Sequence, residues 1–128
     1  MTSPPAERRL AAQPETVRAN RTWWDTEAVD YYAEHGAFLG DADFVWGPEG
    51  LREAEVHLLG DLAGMRVLEI GAGAGQCGRW VATHGAAVVA SDLSAGMLRR
   101  GRQIDRGDGR SDPEVWLPLL QCDAAALP

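Results

Sequence analysis

The stretch VLEIGAGAG, residues 67–75, decides the fold that this chain is expected to adopt. Its first half is an apolar run bounded by glycines, which predicts a short strand buried on both faces of a sheet. Its second half has glycine at every other position, so the chain can turn tightly and a ligand can touch the main chain. Glu69 interrupts the apolar run with a carboxylate at the end of the strand. The stretch therefore predicts a strand, a glycine loop and a helix start that present backbone amides and one negative charge.

The composition is that of one ordinary globular domain. The 128 residues are 45% hydrophobic, which is too high for a disordered chain. The formal net charge of -7 would repel a phosphate backbone, so nucleic-acid binding is not expected. We therefore expect a small-molecule substrate.

Cysteine usage and hydropathy favour the cytoplasm. Cys77 and Cys122 lie on separate predicted elements without metal-ligand spacing around them, so we expect structural thiols in a reducing compartment and no metal site. No apolar run approaches the ~20 residues that a membrane span needs. The N-terminal residues also lack the apolar core of a secretory signal. We predict a cytoplasmic protein that has no membrane partner.

Three segments are predicted to follow one another along the chain. Residues 1–18, which are rich in Pro, Ala, Glu and Arg, are expected to form a flexible tail. Residues 19–62 are expected to form a helical cap, with one helix over residues 25–35 that stops at Gly36 and another that begins at Pro48. The apolar stripe of the second helix would consist of Leu51, Ala54, Leu58 and Leu62. The remaining residues, 63–128, form the third segment.

Strands alternate with helices in residues 63–128. We predict strands over residues 66–70, 86–91 and 115–121. Helices are predicted over residues 76–84 and after Ser94, which is a good N-cap. Pro118 lacks a backbone donor, which suits an edge strand. This alternation predicts an α/β fold with a Rossmann-like, doubly wound parallel sheet, whose ligands sit beyond the carboxyl ends of the strands.

An acidic residue stands at the end of each predicted strand: Glu69, Asp92 and Asp123. At the second of these positions, a carboxylate can accept hydrogen bonds from ribose hydroxyls. A carboxylate at the third can accept from an adenine amino group. The pattern therefore indicates a nucleotide-like ligand.

Two kinds of nucleotide-like ligand fit the glycines. Gly73, Gly75 and Gly78 spell G-x-G-x-x-G, the dinucleotide fingerprint, so an NAD(P)-dependent oxidoreductase is one reading. However, Glu69 would repel a pyrophosphate at the end of the strand. It suits a ligand that carries an ammonium group or hydroxyls.

Three motifs together resemble a known family. In this order and spacing, VLEIGAGAG, SDLSAGML and QCDAAALP are similar to the successive cofactor motifs of the class I S-adenosylmethionine-dependent methyltransferases. The similarity is closest to the small-molecule methyltransferase domains of the UbiE-like group, and it covers roughly residues 45–128. The resemblance implies a transferase that uses S-adenosyl-L-methionine for methylation of a small-molecule acceptor. Residues 63–128 would then be part of its Rossmann-like cofactor domain.

The resemblance also implies roles for individual residues. The loop with Gly71, Ala72, Gly73 and Gly75 would pass close to the methionine portion of the cofactor. Glu69 would order this loop and the amino group, and Asp92 would hold the ribose hydroxyls. The adenine contacts would come from Leu93, Asp123 and the amide of Ala124.

No catalytic side chain is predicted. A sulfonium is already a strong electrophile, so alignment and exclusion of water supply most of what methyl transfer needs. Among the three histidines, His35 is the one considered as a base. The N-terminal aromatic residues are expected to pack the cap on the sheet, although Tyr31 and Tyr32 are also considered for the pocket. A sharper hypothesis is that Trp46 lines it.

The chain stops just after the third motif. In the resembled family a fourth strand follows, so we expect an N-terminal part or truncated form with an open edge at its first strand. Such a chain is expected to bind the cofactor weakly, to turn over nothing and to self-associate through the open edge. Besides methyltransferase and oxidoreductase, a third reading is therefore a non-catalytic fragment that acts by pairing with another chain.

Overall fold

The computed structural model describes residues 12–107 and 116–128. The helices are α1 (Gln13–Leu39), α2 (Glu53–Val56), α3 (Gln76–Thr83) and α4 (Ala95–Asp105). The strands are β1 (Val45–Trp46), β2 (Leu51–Arg52), β3 (Arg66–Ile70), β4 (Ala87–Asp92) and β5 (Leu119–Gln121). β1 and β2 form an antiparallel hairpin, and the other three form a parallel sheet in the order β3-β4-β5. The predicted α/β class is thus confirmed.

The core lies on one face of the parallel sheet. Val67 is in register with Val88, and Ala90 is in register with both Glu69 and Leu119, so these side chains share a face. α3 packs on this face through Val81 and Trp80. α4 lies beside α3 on the same side, since Arg79 of α3 donates to the carbonyl of Gly101 at 2.6 Å. The two helices hold the strand ends in a fixed relation.

The opposite face of the sheet is exposed within the described residues. Leu68, Ile70 and Val89 are 49%, 52% and 39% exposed. The expectation that the first strand is buried on both faces is therefore wrong for this part of the chain. The apolar run does form a strand, but the described helices cover only one of its faces.

The first helix is longer than expected at both ends. Residues 13–18, assigned to the tail, form the first turns of α1, while residues 1–11 lie outside the described part of the chain. Gly36 does not stop the helix, which continues to Leu39 and ends at Gly40. A Cβ atom at position 36 would lie 2.9 Å from Cε1 of Tyr32. Glycine is used here for close packing against a ring, and not as a cap.

The second predicted helix is wrong. The residues after Pro48 form β2, which is the second strand of the hairpin, and the single turn of α2, and Leu51 and Leu58 are exposed. Glu53 is buried instead, where its carboxylate accepts from Nε1 of Trp46 at 2.8 Å and from the amide of Leu59 at 2.7 Å. The predicted helix does not form, and Glu53 instead makes these hydrogen bonds with Trp46 and Leu59.

The remaining elements follow the prediction closely, except the last. β3 has the predicted bounds, α3 ends one residue earlier than predicted, and β4 is shifted by one residue at both ends. α4 begins directly after Ser94, as predicted. Ser94 caps α4 by accepting from the amide of Met97. The last strand is limited to Leu119–Gln121, because Pro118 stands before it and not within it. It forms one edge of the sheet, as proline predicted, while residues 108–115 lie outside the described ranges.

Within residues 12–107 and 116–128, none of the helices combines the length and the apolarity that crossing a membrane requires.

Candidate functional site

A cavity of about 460 Å³ opens at the carboxyl ends of the parallel strands. This volume is in the range of small-molecule sites. Eight of the nine residues predicted from sequence line it: Glu69, Gly71, Ala72, Gly73, Asp92, Leu93, Asp123 and Ala124. The ninth, Gly75, does not. Asn20, Trp24, Tyr31 and Leu39 of α1 line it as well, together with Ile70, Gln76, Cys77, Ser91, Met97 and Cys122.

The glycine loop is tied to β4 and leaves part of its backbone open. The amide of Ala72 donates to the carbonyl of Ser91 at 2.9 Å. Gly71 has a φ of 70°, and a Cβ atom there would meet nothing within 4 Å. At Gly75 a Cβ atom would lie 2.7 Å from Cδ2 of Leu117. Gly71 therefore borders open space at the cavity, whereas Gly75 allows close packing at the start of α3.

Asp92 is held by two backbone amides at the end of β4. Its Oδ2 accepts from the amide of Gly73 at 2.8 Å, and its Oδ1 accepts from the amide of Ser94 at 2.8 Å. Each carboxylate oxygen has a second lone pair, so both remain able to accept from a ligand hydroxyl. Asp92 thus joins the glycine loop to the start of α4 and presents acceptors to the cavity.

Glu69 is a half-buried residue whose carboxylate has one buried, unsatisfied oxygen, Oε2. Its Oε2 lies against Gly78, where a Cβ atom would be 2.6 Å away, but no described residue gives it a well-formed hydrogen bond. Burial raises the pKa of Glu69 from 4.5 to about 7, against the opposing effects of the Gly78 amide and Arg79. A buried carboxylate without a partner is costly unless a cation or donor reaches it. The site therefore favours a ligand with a positive or hydrogen-bond-donating group near Glu69.

The third strand end is joined to the second by backbone bonds. The amide of Cys122 donates to the carbonyl of Asp92 at 3.0 Å, and Nε2 of Gln121 donates to the carbonyl of Leu93 at 3.1 Å. Asp123 follows and lines the cavity. Its Oδ1 also accepts from the amide of Ala125 at 3.0 Å. Asp123 therefore stabilises the turn that follows β5 and also borders the cavity.

The residues of α1 that line the cavity form its helical wall, and the sequence predicted only some of them. Tyr31 lines the cavity, as considered, and packs edge-on against Trp24 with ring centroids 5.5 Å apart. Trp46 is not among the lining residues, and its indole instead donates to Glu53. Asn20 and Trp24, which were not predicted, share one helix face with Tyr31, because Trp24 lies four residues after Asn20 and seven before Tyr31. That spacing is a signal that sequence reasoning had available.

The considered base and the second tyrosine lie away from the cavity lining. His35 stacks on the ring of Tyr31 at 4.5 Å, and its Nδ1 contacts the Tyr31 carbonyl. Tyr32 is buried and donates its hydroxyl to Asp41. Neither side chain is among the residues that line the cavity.

Arg79 stabilises the glycine loop through a hydrogen bond to its backbone. This role was not predicted from the sequence. The arginine is 2% exposed, and it donates to the carbonyls of Ala74 at 2.5 Å and Gly101 at 2.6 Å. Its Nε forms a 2.7 Å ion pair with Asp105, whose side chain is fully buried. Breaking such a buried pair is strongly destabilising, because one charge would lose its partner. Nothing local in the sequence distinguishes this arginine, because its acidic partner lies on another helix.

The two cysteines are free thiols in the structure, and both line the cavity. Burial raises the pKa of Cys77 to about 11, and the negative charge of Glu69 adds to the shift. A thiol with a raised pKa is a poor nucleophile, which agrees with the expected structural role.

Comparisons with known proteins point to one family. Residues 68–128 match the family model described as a methyltransferase domain. The ribosomal RNA small subunit methyltransferase C of Chromohalobacter salexigens is 35% identical over 109 residues, which are 84% of this chain and 31% of that protein. The demethylmenaquinone methyltransferase of Clavibacter sepedonicus is 38% identical over 77 residues, which are 60% of this chain and 29% of that protein.

A solved structure shares the fold. The crystal structure of magnesium protoporphyrin IX methyltransferase from Synechocystis PCC 6803 with bound SAM matches with a TM-score of 0.62 and 21% identity. The match covers 94% of this chain and 60% of that chain. This chain spans about a third of the length of the curated relatives it matches. The family match therefore assigns residues 68–128 to a methyltransferase domain, and the two related methyltransferase sequences and the shared fold agree with this assignment.

Proposed function

We propose that the protein is an S-adenosylmethionine-dependent methyltransferase and that the described cavity holds the cofactor. The observation that carries the proposal is the unsatisfied Oε2 of Glu69 in the cavity wall, next to the open backbone of Gly71. A pyrophosphate would bring negative charge to this carboxylate, whereas the amino group of S-adenosylmethionine would neutralise it. The donor set therefore fits S-adenosylmethionine better than NAD(P).

The remaining lining residues fit the other parts of the cofactor. Asp92 would accept from the ribose hydroxyls, with its carboxylate already oriented by two amides. Leu93, Asp123 and the amide of Ala124 would meet the adenine ring. Gly71, Ala72 and Gly73 would pass along the methionine portion, and Gly75 would shape the loop through its packing. Residues 63–128 are proposed as the cofactor domain, and the N-terminal segment from about residue 19 to 62 as its cap.

The chemistry asks little of the protein's side chains. When bound, S-adenosylmethionine supplies an activated methyl group to a nucleophilic acceptor. The chain's own residues would bind and orient it and would exclude water, and Trp24 and Tyr31 of α1 are suited to the last task. No described side chain is assigned as a base.

Ligand binding tests the proposal. Calorimetric titration of the chain with S-adenosylhomocysteine and with NADH should give binding for the first and none, or much weaker binding, for the second. Asp92→Asn should weaken S-adenosylhomocysteine by about 10- to 100-fold, as expected for hydrogen bonds to a charged group. Asp30→Asn, on the exposed part of α1, is the matched control and should bind like the unmodified chain. Tighter binding of NADH would overturn the proposal in favour of the oxidoreductase.

We further propose a small-molecule acceptor. The net charge of -7 supports this class, as do two similar methyltransferases that are named for demethylmenaquinone and for magnesium protoporphyrin IX. The ribosomal RNA methyltransferase among the relatives makes RNA the second candidate. Fluorescence anisotropy with a labelled RNA hairpin, measured at several salt concentrations, separates them. Salt-dependent RNA binding at micromolar protein would favour the second candidate.

We also propose that the protein acts in the cytoplasm. Two free thiols, Cys77 and Cys122, support a reducing compartment. Labelling of both thiols in freshly lysed cells, without prior reduction, is the expected result. Their recovery as oxidised thiols would count against this location.

A further inference from the structure

We propose that Asp25 of α1 is a positioning residue for the candidate cofactor site, because it holds the loop that presents Asp92. The inference rests on the proposed function, since it assigns the effect of Asp25 to ribose recognition by Asp92. Asp25 forms hydrogen bonds with two residues that lie 69 and 71 positions further along the chain.

A continuous chain of hydrogen bonds leads from α1 to Asp92. Oδ1 of Asp25 accepts from the hydroxyl of Ser94 at 2.6 Å and from the amide of Gly96 at 2.8 Å. The same hydroxyl accepts from the amide of Met97 at 3.1 Å, so it caps α4. The amide of Ser94 in turn donates to Oδ1 of Asp92. Movement of Ser94 would therefore move the acceptor that faces the cavity.

The contact between α1 and α4 is close as well as polar. A Cβ atom at position 96 would lie 3.1 Å from the carbonyl oxygen of Asp25 and 3.2 Å from Cβ of Ala28. Ser94 and Ala28 are both buried. The absence of a side chain at Gly96 is what lets the backbone of α1 rest on the first turn of α4. Asp25 is thus held at a short, defined distance from its partners.

The charge on Asp25 strengthens the connection. The hydrogen bonds from Ser94 and Gly96 hold the pKa of Asp25 below its ordinary value, so the carboxylate is ionised around neutral pH. Hydrogen bonds to an ionised acceptor are stronger than neutral ones. Negative charge is also favourable at the N-terminus of α4.

The neighbouring residue adds a second consequence. Trp24 precedes Asp25 and lines the cavity. One turn of α1 therefore both holds the loop at the end of β4 and contributes the helical wall. Loss of the Asp25 contacts would leave the Ser94 hydroxyl and the Gly96 amide without this acceptor and would loosen the orientation of Asp92.

The test compares two ligands that differ in one hydroxyl. S-adenosylhomocysteine and its 2′-deoxy analogue are titrated into the unmodified chain, Asp25→Ala, Asp25→Asn and the control Asp30→Ala. We expect the unmodified chain to prefer the ribose form by about 10-fold, the value of one hydrogen bond to a charged group. Asp25→Ala should lower this preference towards one, mainly by weakening the ribose form. Asp25→Asn retains an Oδ1 acceptor and should keep most of the preference, and Asp30→Ala should keep all of it.

The outcomes separate positioning from a merely structural effect. An equal loss of affinity for both ligands in Asp25→Ala, or an unchanged preference, would overturn the inference while leaving the proposed function intact. Failure of the unmodified chain to bind either ligand would overturn both. If Asp25→Ala does not fold, as judged by circular dichroism, Asp25→Glu keeps the charge but displaces the acceptor oxygen. The preference should fall in that variant also, and its persistence would contradict the inference.

Discussion

Glu69 shows how one residue can be unfavourable for stability and favourable for binding. Its carboxylate lies in the wall of the cavity with an unsatisfied oxygen, and burial raises its pKa to about 7. Because the folded-state pKa lies above the ordinary value of 4.5, the folded chain binds the proton more tightly than the unfolded chain does. The ionised form therefore costs stability, and this cost appears as the pH rises from about 4.5 to about 7.

Glu69→Gln should remove this cost. At a pH above 7 the free energy of unfolding should rise by about 1–3 kcal/mol, because each pKa unit corresponds to about 1.4 kcal/mol. At a pH below 4.5 the substitution should have little effect, since Glu69 is protonated in both states. Urea unfolding at about pH 8 and about pH 4 measures the difference. The same substitution should weaken S-adenosylhomocysteine, since the neutral amide does not neutralise an ammonium group.

The matched control is Glu34→Gln, which changes an exposed carboxylate of α1. It should leave the free energy of unfolding nearly unchanged at both pH values. A Glu69→Gln variant that is no more stable than the unmodified chain at high pH would contradict the argument from burial. Unchanged affinity for S-adenosylhomocysteine would contradict the role of its charge.

At the scale of elements, the position of α4 against the glycine loop organises the site. A Cβ atom at Gly101 would lie 2.8 Å from the carbonyl oxygen of Ala74 and 3.3 Å from Nη2 of Arg79. Arg79 bridges the same two backbone segments through its hydrogen bonds. The loop is thus held between α3 and α4, and the helices must approach closely for the arginine to reach both.

Gly101→Ala should therefore destabilise the chain, although alanine is normally the better helix former by about 1 kcal/mol. The added methyl group would push α4 away from the backbone of Ala74, at a cost of about 1–3 kcal/mol. Thermal unfolding followed by circular dichroism measures the effect. Arg99→Ala places alanine at an exposed position of the same helix and should change stability by no more than about 0.5 kcal/mol. A more stable Gly101→Ala variant would show that α4 has room to shift.

At the scale of the whole molecule, one face of the parallel sheet is exposed, and both of its outer strands, β3 and β5, lack a further partner strand within the described residues. β3 pairs with β4 on one side, and its other side has no strand among residues 12–107 and 116–128. Leu68 and Val89 lie on the exposed face. An apolar face beside an unpaired edge favours association.

We therefore predict that the 128-residue chain self-associates through this surface. Sedimentation velocity should show an average mass that increases with protein concentration. Leu68→Glu should shift the equilibrium towards the monomer, because it places a charge in the centre of the contact. Val29→Glu alters a side chain that is 76% exposed on α1 and serves as the control. A chain that stays monomeric at every concentration would contradict the prediction, and equal effects of both substitutions would place the contact elsewhere.

The amino-acid sequence by itself determined the alternation of strands and helices, the glycine loop and the acidic residue at each strand end. These features are local, because apolar runs, glycine spacing and the Ser94 cap act through neighbours in the chain. Parallel strands bring their carboxyl ends to one edge, so the sequence alone predicted that Glu69, Asp92 and Asp123 would meet. They do line one cavity.

Only the tertiary structure decided the rest. Glu53 forms its bonds with Trp46 and Leu59 where an apolar stripe predicted a helix, and Gly36 remains inside α1 because the ring of Tyr32 packs on it. The contacts of Arg79 with Asp105 and of Asp25 with Ser94 join residues 26 and 69 positions apart. Such pairs depend on which helices are neighbours in space. No local pattern encodes that, because a buried charge is identified by its partner and not by its place in the chain.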